Sequence, residues 1–317
     1  MFPELRPLAR PGVRLHPREG TPTARASSIG GPLLWPAAEP WPTCTEQHDD
    51  SESEPIEYVV ALRTYYADRD ARMAAKEAID WDVERLIPDR IKAAHPLQPG
   101  FDPAAPSPLI AYAQLHYAEV PGLPWPERFD LLQVLWCPRD HPDIDSPYSP
   151  AFQLRWRRME GLGDLAAEPP LPAVCFEDYL PNQCTLAPEA VTEYPQLEDL
   201  PQALASRIRA VEDDEGADMY GWDFARAPGN KAVGHGGTWG IIDPFPVLCE
   251  CGAEQLPLLT VDSGESDGGD GSWRPIEDAG RDRRFQNPTG ITVGRSNKLQ
   301  LYYCPESENH TNRTVMF

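Results

Sequence analysis

Four residues near the C-terminal end combine the side chains most suited to holding a metal ion: Cys249, Cys251, Cys304 and His310. In an extended segment residues i and i+2 share a face, so the thiols of Cys249 and Cys251 would point the same way. Cys304 and His310 then complete a tetrahedral set for zinc, which takes thiolate sulfur and imidazole nitrogen as structural ligands. A plainer reading leaves the thiols as small buried side chains and His310 on the surface. Cys137 and His141 repeat part of the arrangement without paired cysteines upstream, which favours the plainer reading.

His235, followed by Gly236, Gly237 and Trp239, is the most suggestive single residue for acid–base chemistry. With Cys249 and Cys251 it offers a Cys/His-based or metal-assisted hydrolase as an alternative function. The sequence has no Gly-x-Ser-x-Gly elbow, no His-Glu-x-x-His pair and no dinucleotide or Walker loop. A role for His235 and Trp239 in a turn or a binding surface is therefore preferred, and no catalytic residue is assigned. Downstream, Asp262, Glu265, Asp267 and Asp270 alternate with Gly264, Gly268, Gly269 and Gly271. The run fits no EF-hand, and reads as a flexible exposed loop that would meet a cationic partner through Asp262, Asp267 and Asp270.

The elements that must position these groups are short. Across 317 residues the chain has 37 prolines, about twice the usual share, which argues for strands joined by turns rather than long helices. A net charge of −22 disfavours nucleic acid and anionic lipid and favours a basic partner. Met1 to Gly20 lacks the apolar stretch of a secretory signal, and no later run is long enough to span a bilayer. The expected location is cytoplasmic, where seven cysteines read as free thiols or metal ligands rather than disulfides.

Residues 1–26 read as a proline-punctuated leader. Gly30 and Gly31 form a tight turn that sets Trp35 and Trp41 against a core, and residues 43–56 read as a mobile acidic loop. Met73, Ile79, Val83 and Leu86 recur at helical spacing, which predicts a helix over 68–87 ended by Pro88. Leu109 to His116, Asp130 to Cys137 and the segment with Phe152, Leu154 and Trp156 read as strands, and Arg155, Arg157 and Arg158 as internal ion-pair partners. Leu204, Ile208 and Val211 predict a helix after Pro201.

Two stretches match in the same order. Ile29-Gly30-Gly31 answers His235-Gly236-Gly237, and Pro108-Leu109-Ile110 answers Pro257-Leu258-Leu259. Leu132-Gln133-Val134-Leu135-Trp136-Cys137-Pro138 answers Leu299-Gln300-Leu301-Tyr302-Tyr303-Cys304-Pro305. The expected fold is α+β, a β-rich single body of two duplicated, pseudo-symmetric β units with helical insertions. Its parts are a first β unit over 27–160, a helical connector over 161–230 and a second β unit over 231–317.

The Gly-Gly turn followed by Trp239, Asp243-Pro244 ahead of Cys251-Gly252, and Tyr302-Tyr303 before Cys304-Pro305 resemble the YwqG-like family of bacterial proteins, a domain of unknown function. The pattern is also similar to the eukaryotic programmed cell death protein 2 group, and runs from about Leu15 to the C-terminus. The resemblance implies a duplicated α+β fold without established catalysis. It also implies a protein-binding role, chaperone-like towards a basic ribosomal protein or immunity-like towards a toxin. The eukaryotic proteins carry cysteine pairs with two intervening residues, whereas Cys249 and Cys251 are separated by Glu250 alone.

Overall fold

The computed structural model describes residues 2–215, 219–237, 246–280 and 285–317. Twelve strands form two six-stranded antiparallel sheets. In chain order they are β1 (Arg10–Arg14), β2 (Arg18–Glu19), β3 (Ser28–Ile29), β4 (Ile110–His116), β5 (Leu131–Trp136), β6 (Phe152–Arg157), β7 (Cys184–Thr185), β8 (Glu189–Glu193), β9 (Lys231–Val233), β10 (Leu256–Asp262), β11 (Lys298–Tyr303) and β12 (Thr314–Met316). The first sheet runs β2-β7-β3-β4-β5-β6 and the second β8-β1-β9-β10-β11-β12. The helices are α1 (Ile56–Ala74), α2 (Trp81–Glu84), α3 (Ile87–Ala94) and α4 (Gln202–Glu215). The fold is α+β with a β-rich body, as composition and periodicity indicate. Among the described residues no helix is long and apolar enough to cross a membrane.

Period-two alternation explains the centre of the molecule. Leu132, Val134 and Trp136 of β5 join Leu258, Leu299 and Leu301 of the second sheet in one apolar core. The alternate residue Leu135 turns to the opposite face with Cys137, and Trp35, Leu109 and Cys44 cover it there. Both faces of β5 are therefore buried, which is why its sequence reads as a continuous apolar run.

The hairpins β4–β5 and β10–β11 have the same register. Ile110 faces Trp136 as Leu256 faces Tyr303, and Leu115 faces Leu132 as Val261 faces Leu299. Each ladder slips at the same place, between Ala111 and Ala113 in one and between Pro257 and Leu259 in the other. The glycine and proline matches in the sequence lie three residues out of phase with this pairing. Ile29 lies opposite Ala113 as Ala232 lies opposite Leu259, so Gly30 corresponds to Val233 rather than Gly236. Pro108 precedes its strand, whereas Pro257 lies inside β10 at the slip, and this displaces the motifs.

Four expectations are corrected. The stretch expected as a leader, residues 1–26, carries β1 and β2: β1 pairs with β8 and β9 in the second sheet, and β2 pairs with β7 in the first. The connector 161–230 likewise contains β7 and β8 besides α4. The helix expected over 68–87 is broken: Lys76 lies beyond the C-terminus of α1 at φ +59°, and Asp80 caps α2 by accepting from the Asp82 and Val83 amides. Residues 43–56 are tied down, with Thr43–Cys44 pairing Ser107–Pro108 and Ser53–Pro55 pairing Val174–Phe176.

Candidate metal centres

Cys304 directly follows β11, and Pro305, which has no N–H to donate, stops the ladder there. The chain turns through Ser307, whose carbonyl accepts from the His310 amide at 3.3 Å, and returns as β12. This turn brings His310 back over Cys304, with Nδ1 3.2 Å from Sγ. The other two ligands come from a knuckle that follows Leu248. The Cys249 amide donates to the Ala253 carbonyl and the Gly252 amide to the Cys249 carbonyl, both at 2.9 Å, with Gly252 at φ +88°. Cys249 and Cys251 therefore converge through a tight turn and not through the shared face of an extended strand.

Cys251 Sγ lies 3.6 Å from Cys304 Sγ, and Cys249 Sγ lies 3.6 Å from His310 Nδ1. A tetrahedral zinc ion with bonds of about 2.3 Å to sulfur and about 2.0 Å to nitrogen sets its ligands about 3.5–3.8 Å apart. The four ligand atoms all lie within 4.8 Å of one another, so the set can close around one ion. The Cys251 amide directed at Cys249 lowers that thiol to about 7, which favours the thiolate a metal needs. Cys249 and Cys304 are buried and Cys251 is exposed.

A second set was only half legible in the sequence, which offers Cys137 and His141 but does not pair them with Cys44 and His48. Cys44 and His48 meet Cys137 and His141, again with all ligand atoms within 4.8 Å. The available signal was spacing: Cys44 and His48 are separated by three residues, as are Cys137 and His141.

The remaining described candidates lie outside both clusters. His235 belongs to neither cluster. Its Nε2 lies 2.9 Å from the Leu8 carbonyl, and its amide donates to Glu193 Oε2 at 2.7 Å. Burial lowers the imidazole to about 4. Glu193 also receives Lys231 Nζ at 2.6 Å and the Ala227 amide at 2.9 Å, so the turn at His235 is fastened to a fully buried ion pair. Trp239 lies outside the described residues.

The acidic loop is organised and partly buried. Asp262 is buried against Lys298 at 2.8 Å and accepts from the Gly229 amide at 2.9 Å. Asp267 is also buried and holds Arg274 at 2.9 Å. Asp270 is exposed and accepts from the Ser272 amide at 2.7 Å, while the buried Asp223 carboxylate accepts from the Gly269 amide at 2.7 Å. Asp262 and Asp267 are thus internal partners of cations and not a face turned to solvent. Composition misreads them because Lys298 and Arg274 reach them through the fold.

No protein-family model matches the chain, and no curated protein matches it.

Proposed function

We propose that this protein is a non-catalytic binding module for a basic protein, with a β scaffold fastened by zinc at Cys249, Cys251, Cys304 and His310. The observation that carries the reading is the closed ligand set. Four protein ligands at tetrahedral spacing leave no position for the water or substrate that a catalytic zinc keeps open. His235, the base that a hydrolase would require, is engaged with Leu8 and Glu193. The net charge of −22 supports a basic client and a steered association, and the YwqG-like resemblance supports a chaperone-like or immunity-like role. The common hairpin register supports a duplicated scaffold.

The test pairs two measurements on protein that has never met chelator. Elemental analysis should find zinc, and its amount should fall on Cys304→Ser. Affinity capture from the native host should recover a basic protein at low salt and release it as salt rises. Capture of no basic partner removes the binding reading. Turnover of an ester, phosphate or amide substrate that His235→Ala abolishes replaces it with the hydrolase.

A further inference from the structure

We infer that Cys44, His48, Cys137 and His141 form a second structural zinc centre, which ties the segment leading into α1 to the end of β5. The arrangement is two Cys-x-x-x-His pairs facing each other. Cys44 Sγ lies 3.4 Å from His141 Nε2, and Cys137 Sγ lies 3.4 Å from His48 Nε2, so each thiol meets the imidazole of the opposite pair. The sulfur–nitrogen edge of a tetrahedral zinc site is about 3.5 Å. The two imidazole rings stand 4.9 Å apart, centroid to centroid, and are tilted to one another by 57°.

The surroundings select the ligating atoms. His141 Nδ1 lies 2.8 Å from the Ser149 carbonyl, and a backbone carbonyl can only accept, so this nitrogen carries the proton and Nε2 is left with its lone pair towards the thiols. Ser149 is itself held by its hydroxyl on the Ser146 carbonyl at 2.7 Å. Cys44, Cys137 and His141 are buried, which excludes water from the ligand positions. Two thiolates and two neutral imidazoles make a neutral complex with a divalent ion, a charge balance that suits an enclosed site.

The geometry around the centre states its purpose. Residues 43–50 have little apolar surface of their own, yet they lie against the chain that follows β5. The Asp49 amide donates to the Asp140 carbonyl at 2.9 Å, and Arg139 Nε donates to Asp50 Oδ1 at 2.7 Å. Zinc would be the strongest of these ties, because it joins residues that are 93 apart in Cys44 and Cys137. The centre occupies the same end of its hairpin as the Cys304 centre, each beginning at the Cys-Pro that terminates the strand. It does not depend on that centre, since the ligand sets share no residue.

Zinc stoichiometry tests the inference on the full chain. Wild-type protein should hold two zinc ions. The double variant Cys249→Ser, Cys251→Ser should keep one, and His48→Ala in the wild-type background should also lower the count from two to one. His48→Ala should further expose residues 45–52 to limited proteolysis at least 10-fold faster, while the double variant leaves that cleavage unchanged. Cobalt loaded into the double variant should give the absorption of a tetrahedral two-thiolate site. A folded double variant without zinc overturns the inference, as does His48→Ala with both ions and unaltered cleavage. One ion in the wild type that persists in His48→Ala rejects the second centre and leaves the Cys304 centre standing. If the double variant is insoluble, the count in His48→Ala decides alone.

Discussion

The two sheets place the same hairpin register behind different chemistry. Next to β4, β3 offers Ser28, whereas at the corresponding place next to β10, β9 offers Lys231. Ser28 is fully buried with its hydroxyl unpartnered, while Lys231 is buried on Glu193. Two residues further on stands Gly30 in one sheet and Val233 in the other, both at positive φ. At the strand ends, a buried two-cysteine, two-histidine cluster answers a three-cysteine, one-histidine cluster that has Cys251 in solvent. Strand pairing and the slip in the ladder are therefore the tolerant common frame. The polar groups packed around it are particular to each half.

The largest expected effect lies at the Lys231 position. Removing one member of a buried ion pair strands the other charge, so Lys231→Met should destabilise the fold by about 3–5 kcal/mol in urea denaturation. Burial holds Lys231 down to about 8, so part of the cost of its charge is already present in the native protein. At the equivalent place Ser28→Ala removes a hydroxyl that has no partner, and should change stability by about 1 kcal/mol or less, towards greater stability. Equal losses for the two substitutions would show that the sheets are not asymmetric in the way their buried polar groups indicate.

The next effect separates the positive-φ positions. A Cβ at Gly30 would stand 2.5 Å from the Asn182 carbonyl oxygen, and the backbone there is at φ +64°. Gly30→Ala should therefore cost about 2–4 kcal/mol. Val233 already sits at φ +50°, strained for a β-branched residue, and packs against the core. Val233→Gly releases that strain and loses the packing, and the two nearly cancel: thermal denaturation should move by the equivalent of about 1 kcal/mol or less. A large loss in Val233→Gly would mean that packing, and not backbone conformation, governs this turn.

The strands with a core on each side were the most legible part of the sequence. In β5 and β11 the Leu-Gln start and Cys-Pro end fix both the strand and its terminus, and Leu132, Val134 and Trp136 announce the buried face. The helix over 68–87 misled because Met73, Val83 and Leu86 keep helical spacing across a break that they do not line: all three are exposed. Strands β1 and β2 were illegible for another reason. They are short, and β1 meets β8 at Gly12 and Val191, so no local pattern reveals the pairing. Cys304 and His310 were found together because one turn joins them, and Cys249 and Cys251 because they are near neighbours. Cys44 and His48 were missed because they sit in a polar stretch whose order comes from Asp140, Arg139 and Cys137, all contributed from beyond the helical insertion.

The smallest expected effect sharpens the asymmetry by pH. Counting from the paired strands, the position of His235 is filled in the first half by Pro32, which cannot titrate. Burial lowers His235 from its ordinary 6.5 to about 4 in the folded protein. Between those values the unfolded chain binds a proton that the folded chain does not, so acidification through this window draws the equilibrium towards unfolding. Above 6.5 the imidazole is neutral in both states and its contribution is complete; below about 4 both states are protonated and it is lost. Because the ring is only half-buried, solvent screening reduces the expected loss to about 1–2 kcal/mol. His235→Gln keeps an N–H donor for the Leu8 carbonyl and removes the titration. Urea denaturation at pH 7 and at pH 4.5 should therefore show the wild type losing about 1–2 kcal/mol more than the variant. Parallel losses would assign the acid sensitivity to carboxylates shared by both halves and take His235 out of the comparison.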